Sequence, residues 1–285
     1  MEQLFHGLII GSVISFIALG YALIYSILKF INFAHGEVMM AGAYFCYGFL
    51  SIMGVENFHF AVLFSIIATG ILGVFIERVC YKPLRSRGRL TMLLSSLGIS
   101  IILQAIITLI FTSSALVYTI REKSLHIGEY SLYFSEIIII VILVISFIII
   151  SLSLTRSRLG LAVRAISSNP TRLALLGIPV DQIISIFFFL SSALAAIAGI
   201  GLAVENGLIP SMGFQYSIWA FAVVVIAGLG SLRGIIIGGV LFGIVINYAI
   251  VYSSSLFANG FAITIMALIL LLRPQGLFPQ RLREF

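Results

Sequence analysis

The chain has 285 residues, of which 61% are hydrophobic and only 9% charged, with a net charge of +6. A soluble domain carries about a quarter charged residues, so this composition excludes one and points to a protein that crosses a membrane many times. The positive charge is no nucleic-acid footprint either, because the basic residues cluster beside apolar runs rather than along one groove.

Apolar runs of spanning length, about 17–25 residues, occur at 5–28, 33–53, 58–77, 90–111, 134–154 and 183–204. A glycine-rich last third follows at 216–231, 234–252 and 257–272. The first run has no cationic leader and no convincing small-residue cleavage site, so it reads as a retained span. Residues 137–150 are almost all Ile, Leu and Val, broken by Ser146 and Phe147. Each such residue favours insertion by roughly 0.3–0.6 kcal/mol at the centre of a span, so this run inserts unaided. Cys46 and Cys80 fall in or beside different spans near opposite faces, which argues against a disulfide, and no metal-ligand spacing occurs.

Nine crossings with the N-terminus outside put fourteen of the sixteen Lys and Arg residues in the cytoplasm and leave only Arg121 and Lys123 outside. Removing one span reverses every later loop and destroys that bias, so positive-inside counting predicts an outside N-terminus and a cytoplasmic C-terminus. The expectation is an all-α polytopic membrane helix bundle of about nine transmembrane helices. One segment, 216–231, is glycine-broken or re-entrant, and residues 1–285 form a single transmembrane domain.

Enzymatic chemistry finds no support. None of the three lysines, Lys29, Lys82 and Lys123, follows a glycine, so the GxxxxGK nucleotide loop cannot occur. The four histidines form no HExxH and no Cys/His cluster, and one Asp leaves little room for paired carboxylates. The chain is expected to be no enzyme and to hold no cofactor, metal or nucleic acid. If ATP drives it, the ATPase is another chain.

The odd stretch is the polar interruption at 156–185, whose loop proper, 156–182, is cytoplasmic in this count. Within it Asn169 reads as an N-cap, Pro170 fits the first helical position, and Gly177 closes the helix in a left-handed conformation. Pro179 then stops the helix and Asp181 can cap the next span. Two turns do not persist alone in water, where helices need roughly 12–15 residues. Leu173 and Leu176, on one face at i, i+3, must therefore rest on something. The candidates are the protein's own span ends, lipid headgroups, or a separate soluble subunit.

Two other stretches carry polar or small residues into the spans. Asn32-Phe33-Ala34-His35-Gly36-Glu37 stands where the second span enters from the cytoplasm, with Asn32 and His35 on one helical face. An ionisable residue inside a span is costly unless paired. The stretch is thus either a polar gate on a solute path or a capped helix start whose Glu37 pairs with a nearby base. Gly228, Gly230 and Ser231 open a run with small residues at 230, 234 and 238, and again at 239 and 243. That spacing permits close helix packing, and the short run before Gly228 also allows a broken helix lining a path.

Several motifs together resemble the LivH-type permeases of branched-chain amino acid ABC importers. Gly20-Tyr21-Ala22-Leu23-Ile24-Tyr25 leads into Ile31-Asn32-Phe33-Ala34-His35-Gly36-Glu37. Ile76-Glu77-Arg78-Val79, Tyr81-Lys82-Pro83-Leu84-Arg85, Ser157-Arg158-Leu159-Gly160 and Arg164-Ala165 follow. Leu175-Leu176-Gly177-Ile178, the glycine run at 228–234 and Arg273-Pro274-Gln275-Gly276 complete a collinear set. The resemblance implies a bacterial inner-membrane permease that pairs with a second, related permease. It implies two cytoplasmic ABC ATPases, a periplasmic or lipid-anchored binding protein, and leucine, isoleucine and valine as cargo. By position the coupling helix is Asn169, Pro170, Arg172, Leu173, Leu176 and Gly177, flanked by Arg164 and Ile178. Related permeases carry urea, short amides or other amino acids, so the cargo stays open. A rival class, a self-contained secondary transporter or channel, needs ionisable residues deep in the membrane, and Glu37 is nearly alone there.

Overall fold

A computed structural model describes residues 2–118, 124–127, 130–168, 170–228, 230–253 and 257–278. Helices α1 (Glu2–Leu28), α2 (His35–Met53), α3 (Phe58–Ile76) and α4 (Arg89–Phe111) come first. A hairpin of β1 (Ser124–Ile127) and antiparallel β2 (Tyr130–Tyr133) precedes α5 (Phe134–Arg156). Then come α6 (Arg158–Ser168), α7 (Pro170–Leu175), α8 (Val180–Asn206), α9 (Met212–Ala227), α10 (Leu232–Tyr252) and α11 (Ala258–Leu272). Every predicted apolar run is helical for most of its length.

Among the described residues six helices are long and apolar enough to span a membrane, and α5 with α6, bent by 66°, makes a seventh. α9 and α11 are apolar but shorter, at 16 and 15 residues. The expected 216–231 segment shifts to Met212–Ala227, since Gly228 and Gly230 take φ of +94° and +100°. Left-handed residues end a helix.

α1 is the axis of the bundle, packed by α10, α8 and α9. Its antiparallel crossing with α10 depends on missing side chains. A Cβ on Gly7 would lie 2.7 Å from the Ile244 Cα, and one on Gly11 would lie 2.7 Å from the Gly239 carbonyl oxygen. Gly243 sits against Gly11 and Gly239 against Ser15, so backbones touch. Of the two readings of the glycine run, its helical part is close packing.

The end of α3 is irregular. After Ile76 the helix widens into a π-turn over Glu77–Tyr81 and then tightens into a 3₁₀ stretch, Lys82–Arg87. The extra residue in that turn rotates the chain so that Glu77 and Tyr81 both point inward and are buried.

Candidate functional site

The polar stretch at 32–37 packs back along α1 rather than standing beyond its end. α1 ends at Leu28, Lys29 takes φ +54°, and the chain doubles back on α1. A Cβ on Gly20 would meet the His35 imidazole, with its Cε1 2.7 Å away. Gly20 is eight residues before Leu28, so at 1.5 Å per residue His35 lies about 12 Å in from the end of α1. The helix starts at His35, so Asn32 shares no helical face with it, and the α2 N-cap Ala34 makes no side-chain cap.

Buried non-helical backbone needs hydrogen-bond partners, and here serines of α4 and α9 supply them. The Phe33 N–H donates to Ser96 Oγ at 3.1 Å, and the Phe33 carbonyl accepts from Ser217 Oγ at 3.3 Å. Ser217 Oγ is also bonded to the Tyr21 hydroxyl. Tyr81 donates to Asn32 Oδ1 at 2.6 Å, and Ser191 donates to the Gly20 carbonyl at 2.8 Å. The turn is thus held by α4, by the π-turn of α3 and by α9, whose Ser217 is in turn bonded by Tyr21 of α1.

Glu37 and His35 are the exceptions. Glu37 is fully buried, and no ion pair reaches it among the described residues. The expected pairing with a base is therefore corrected. Its Oε1 accepts a long 3.4 Å bond from Ser100, and its Oε2 has no partner. Neither nitrogen of His35 makes a hydrogen bond of good geometry, although the Ile17 carbonyl faces the ring. Room for the carboxylate comes from α9: a Cβ on Gly213 would lie 2.6 Å from the Glu37 Cδ. Gly36 in turn lies against Gly213, where its Cβ would be 2.7 Å from the Ser217 Cβ. Further along α2 and α3, Tyr44 Oη and Thr69 Oγ1 are also buried without partners.

Gly228, Gly230 and Ser231 are not part of this centre. They form the α9–α10 turn, fifteen residues along from Gly213, or about 22 Å. There Ser231 caps α10 by accepting from the Gly234 N–H at 3.2 Å, and Gly228 lies against Gly276.

A second polar group ties α3 to the start of α8. Arg85 bridges buried Glu77 and exposed Asp181, the latter at 2.8 Å, while Lys82 reaches Asp181 at 2.7 Å and Ser185 donates to Glu77 Oε2 at 2.7 Å. Asp181 is thus an ion-pair partner in the first turn of α8, whose N-cap is Pro179. The Lys82 pair is half exposed and contributes about 0–1 kcal/mol. Removing Arg85 would strand the Glu77 carboxylate, which costs about 3–5 kcal/mol.

Beyond that group lies the loop. Ser157 Oγ accepts from the Gly160 N–H at 3.3 Å, and Arg164 donates to the Leu154 carbonyl at 2.7 Å, so Arg164 caps the end of α5 across the bend. Pro170 opens α7 as predicted, whereas Asn169 lies outside the described residues. Gly177, at φ +78°, closes α7: its N–H bonds the Ala174 carbonyl and the Ile178 N–H bonds the Leu173 carbonyl. That is the Schellman pattern, with Ile178 set to meet Leu173. Leu173 is buried, so it does not share an outward face with Leu176. The exposed pair is Leu175 and Leu176, 84% and 78% open, with Arg172 exposed nearby.

Between α7, α6 and the starts of α4 and α8 is a cavity of about 920 Å³, with Lys29, Arg85, Arg89 and Asp181 on its wall. Burial, followed by the charge of Arg89, holds the Lys29 ammonium below its usual range.

Tyr21, Ser96, Ser100, Ser191, Ser217 and Glu77 were not singled out from the sequence as site residues. A signal existed for Glu77, an acid closing an apolar run. The serines gave none, because an isolated serine in a span usually bonds its own helix backbone.

The bundle is that of an integral membrane protein, with its polar groups gathered at helix crossings. Residues 3–272 match the family model described as branched-chain amino acid transport system / permease component, and the chain belongs to that family. It is 36% identical to the high-affinity branched-chain amino acid transport system permease protein BraD of Pseudomonas aeruginosa, over 97% of this chain and 95% of that one. It is 32% identical to the corresponding LivH permease of Escherichia coli K12, over 97% and 94%. A probable LivH permease of Methanocaldococcus jannaschii is 29% identical over 95% and 90%. No solved structure matches the chain.

Proposed function

We propose that this chain is the membrane-spanning subunit of an ATP-binding-cassette importer that carries leucine, isoleucine and valine across a bacterial inner membrane. It pairs with a second, related permease, holds no ATPase site of its own, and is driven by two cytoplasmic ATPases. A periplasmic or lipid-anchored protein delivers the solute at the outer face, where the N-terminus lies. The cargo follows the printed names of the relatives, all of them branched-chain amino acid permeases.

The observation that supports coupling is the tip of α7. Leu175 and Leu176 project from a helix fixed at one end by Pro170 and at the other by the Gly177 closure, while Leu173 anchors it inward. Two exposed leucines on a rigid, capped turn are a hydrophobic knob suited to a groove on a soluble partner. Force on the knob passes through Pro179 into α8, which the Lys82–Asp181–Arg85–Glu77 group ties to α3. Tilting α8 moves Ser191 against Gly20 and so acts on the buried polar centre.

Vesicles holding this chain, its companion permease and the ATPases, with ATP inside and loaded binding protein outside, test the reading. Uphill leucine uptake that requires ATP supports it. Uptake by this chain alone, driven by a proton gradient without ATP, overturns it in favour of a secondary transporter.

A further inference from the structure

Glu37 poses a physical problem that packing does not answer. A carboxylate taken out of water costs several kcal/mol unless it is paired, and here one oxygen has no partner and the other only a long serine bond. No Lys or Arg among the described residues is placed to supply the missing contact. α1, α2, α8 and α9 contain no Lys or Arg, and the one on α4, Arg89, lies eleven residues before Ser100. Eleven residues of helix is about 17 Å. The Arg85 guanidinium is committed to Glu77 and Asp181. Lys29 stands over the Tyr25 ring, at 5.4 Å from its centroid.

The surroundings of the free oxygen are built for an opening contact. It faces Gly213 in the first turn of α9, and that turn and the facing turn of α2 are both side-chain-free, at Gly213 and Gly36. When α9 parts from α2, the group exposed in the gap is this carboxylate, with Ser217 of α9 and its bonded Tyr21 hydroxyl close by.

We propose that the free oxygen of Glu37 is a transient seat for the α-ammonium group of the transported amino acid. The proposal rests on the import reading and specifies how the solute is held. Two desolvated opposite charges offset each other only while both are in the gap, so the contact forms on opening and is lost on closure. Weak holding suits a path, since a solute must leave as readily as it enters. Tyr44, also unpartnered, lies about two turns further along α2 as a station for the remaining polar groups.

The test uses the assembled importer in vesicles, comparing wild type with Glu37→Gln and Glu37→Asp. The wild-type uptake rate reports on the import reading, and the variant-to-wild-type ratio reports on this one, so the two fail separately. A charge-assisted hydrogen bond contributes roughly 1.5–3 kcal/mol, so Glu37→Gln is expected to lower leucine uptake about tenfold or more. Subunit assembly, read by co-purification, should persist, and Glu37→Asp should restore part of the uptake. Difference infrared spectra give a second readout that does not depend on the variants folding. Leucine should shift a carboxylate stretch in wild type, and 4-methyl-2-hydroxypentanoate, which lacks the ammonium, should not. Uptake by Glu37→Gln equal to wild type overturns the proposal. So does a carboxylate shift caused by sodium or potassium with leucine silent, which would mark an inorganic cation site.

Discussion

α1 and α4 are apolar to nearly the same degree, yet 89% of the most apolar stretch of α1 is buried inside the protein against 28% of that of α4. Hydropathy does not separate them, because lipid and protein interior are equally good solvents for Leu and Ile. Small residues do. α1 carries Gly7, Gly11, Ser15 and Gly20, each pressed on a neighbouring backbone or side chain. α4 carries Gly98, with nothing within 4 Å of where its Cβ would be, and shows Leu94, Ile101 and Leu109 to the outside. In a membrane, then, a helix takes a central place through what it lacks, since close backbone approach replaces the hydrophobic effect as the source of attraction.

That contrast can be broken by experiment. The largest effect is expected for Gly11→Leu, which drives a side chain into the Gly239 carbonyl and should cost about 3 kcal/mol or more. Thermal unfolding in detergent, read by the folded fraction surviving size-exclusion chromatography, checks it, and a native-like melting curve would refute the packing account. Tyr81→Phe is next. It leaves the buried Asn32 carbonyl without its donor and should lower stability by about 1–3 kcal/mol in the same assay. Gly177→Ala forces a Cβ into a left-handed residue and should cost about 1 kcal/mol. Its larger expression is lost ATPase stimulation, because α7 no longer holds Leu176 in place. Leu176→Asp, by contrast, should leave the lone chain's stability within about 0.5 kcal/mol of wild type, as an exposed position does, while uptake by the full importer falls about tenfold or more. The smallest effect is expected for Gly98→Leu and Leu109→Ala. Both should be silent in the lone chain, within about 0.5 kcal/mol. A loss of companion-permease association on either would show that the outer face of α4 is a subunit contact and not a lipid-facing one.

The two candidate sites differed in how far they could be read in advance. For α7 the local chemistry was written in consecutive residues: Pro170 cannot sit inside a helix, and Gly177 is where the chain can turn left-handed. What was missed there, that Leu173 points in while Leu175 and Leu176 point out, depends on where α8 and α1 stand. For residues 32–37 the residue types were legible and their partners were not. Asn32 was expected on the face of a helix it precedes, Glu37 was expected to find a base, and Gly228, Gly230 and Ser231 were considered as path residues although they form a distant turn.

Sequence by itself determined which segments are helices and where most of them stop, because spanning hydrophobicity, proline and left-handed glycine act over a few consecutive residues. Tertiary structure alone decided that His35 stands beside Gly20, that Glu77 rather than Glu37 takes the arginine, and that Ser217 serves Tyr21 from 196 residues away. The reason is physical: a polar group inside a membrane takes whichever partner the helix crossings bring within about 3 Å, and those crossings are set by backbone approach between glycines far apart in the chain.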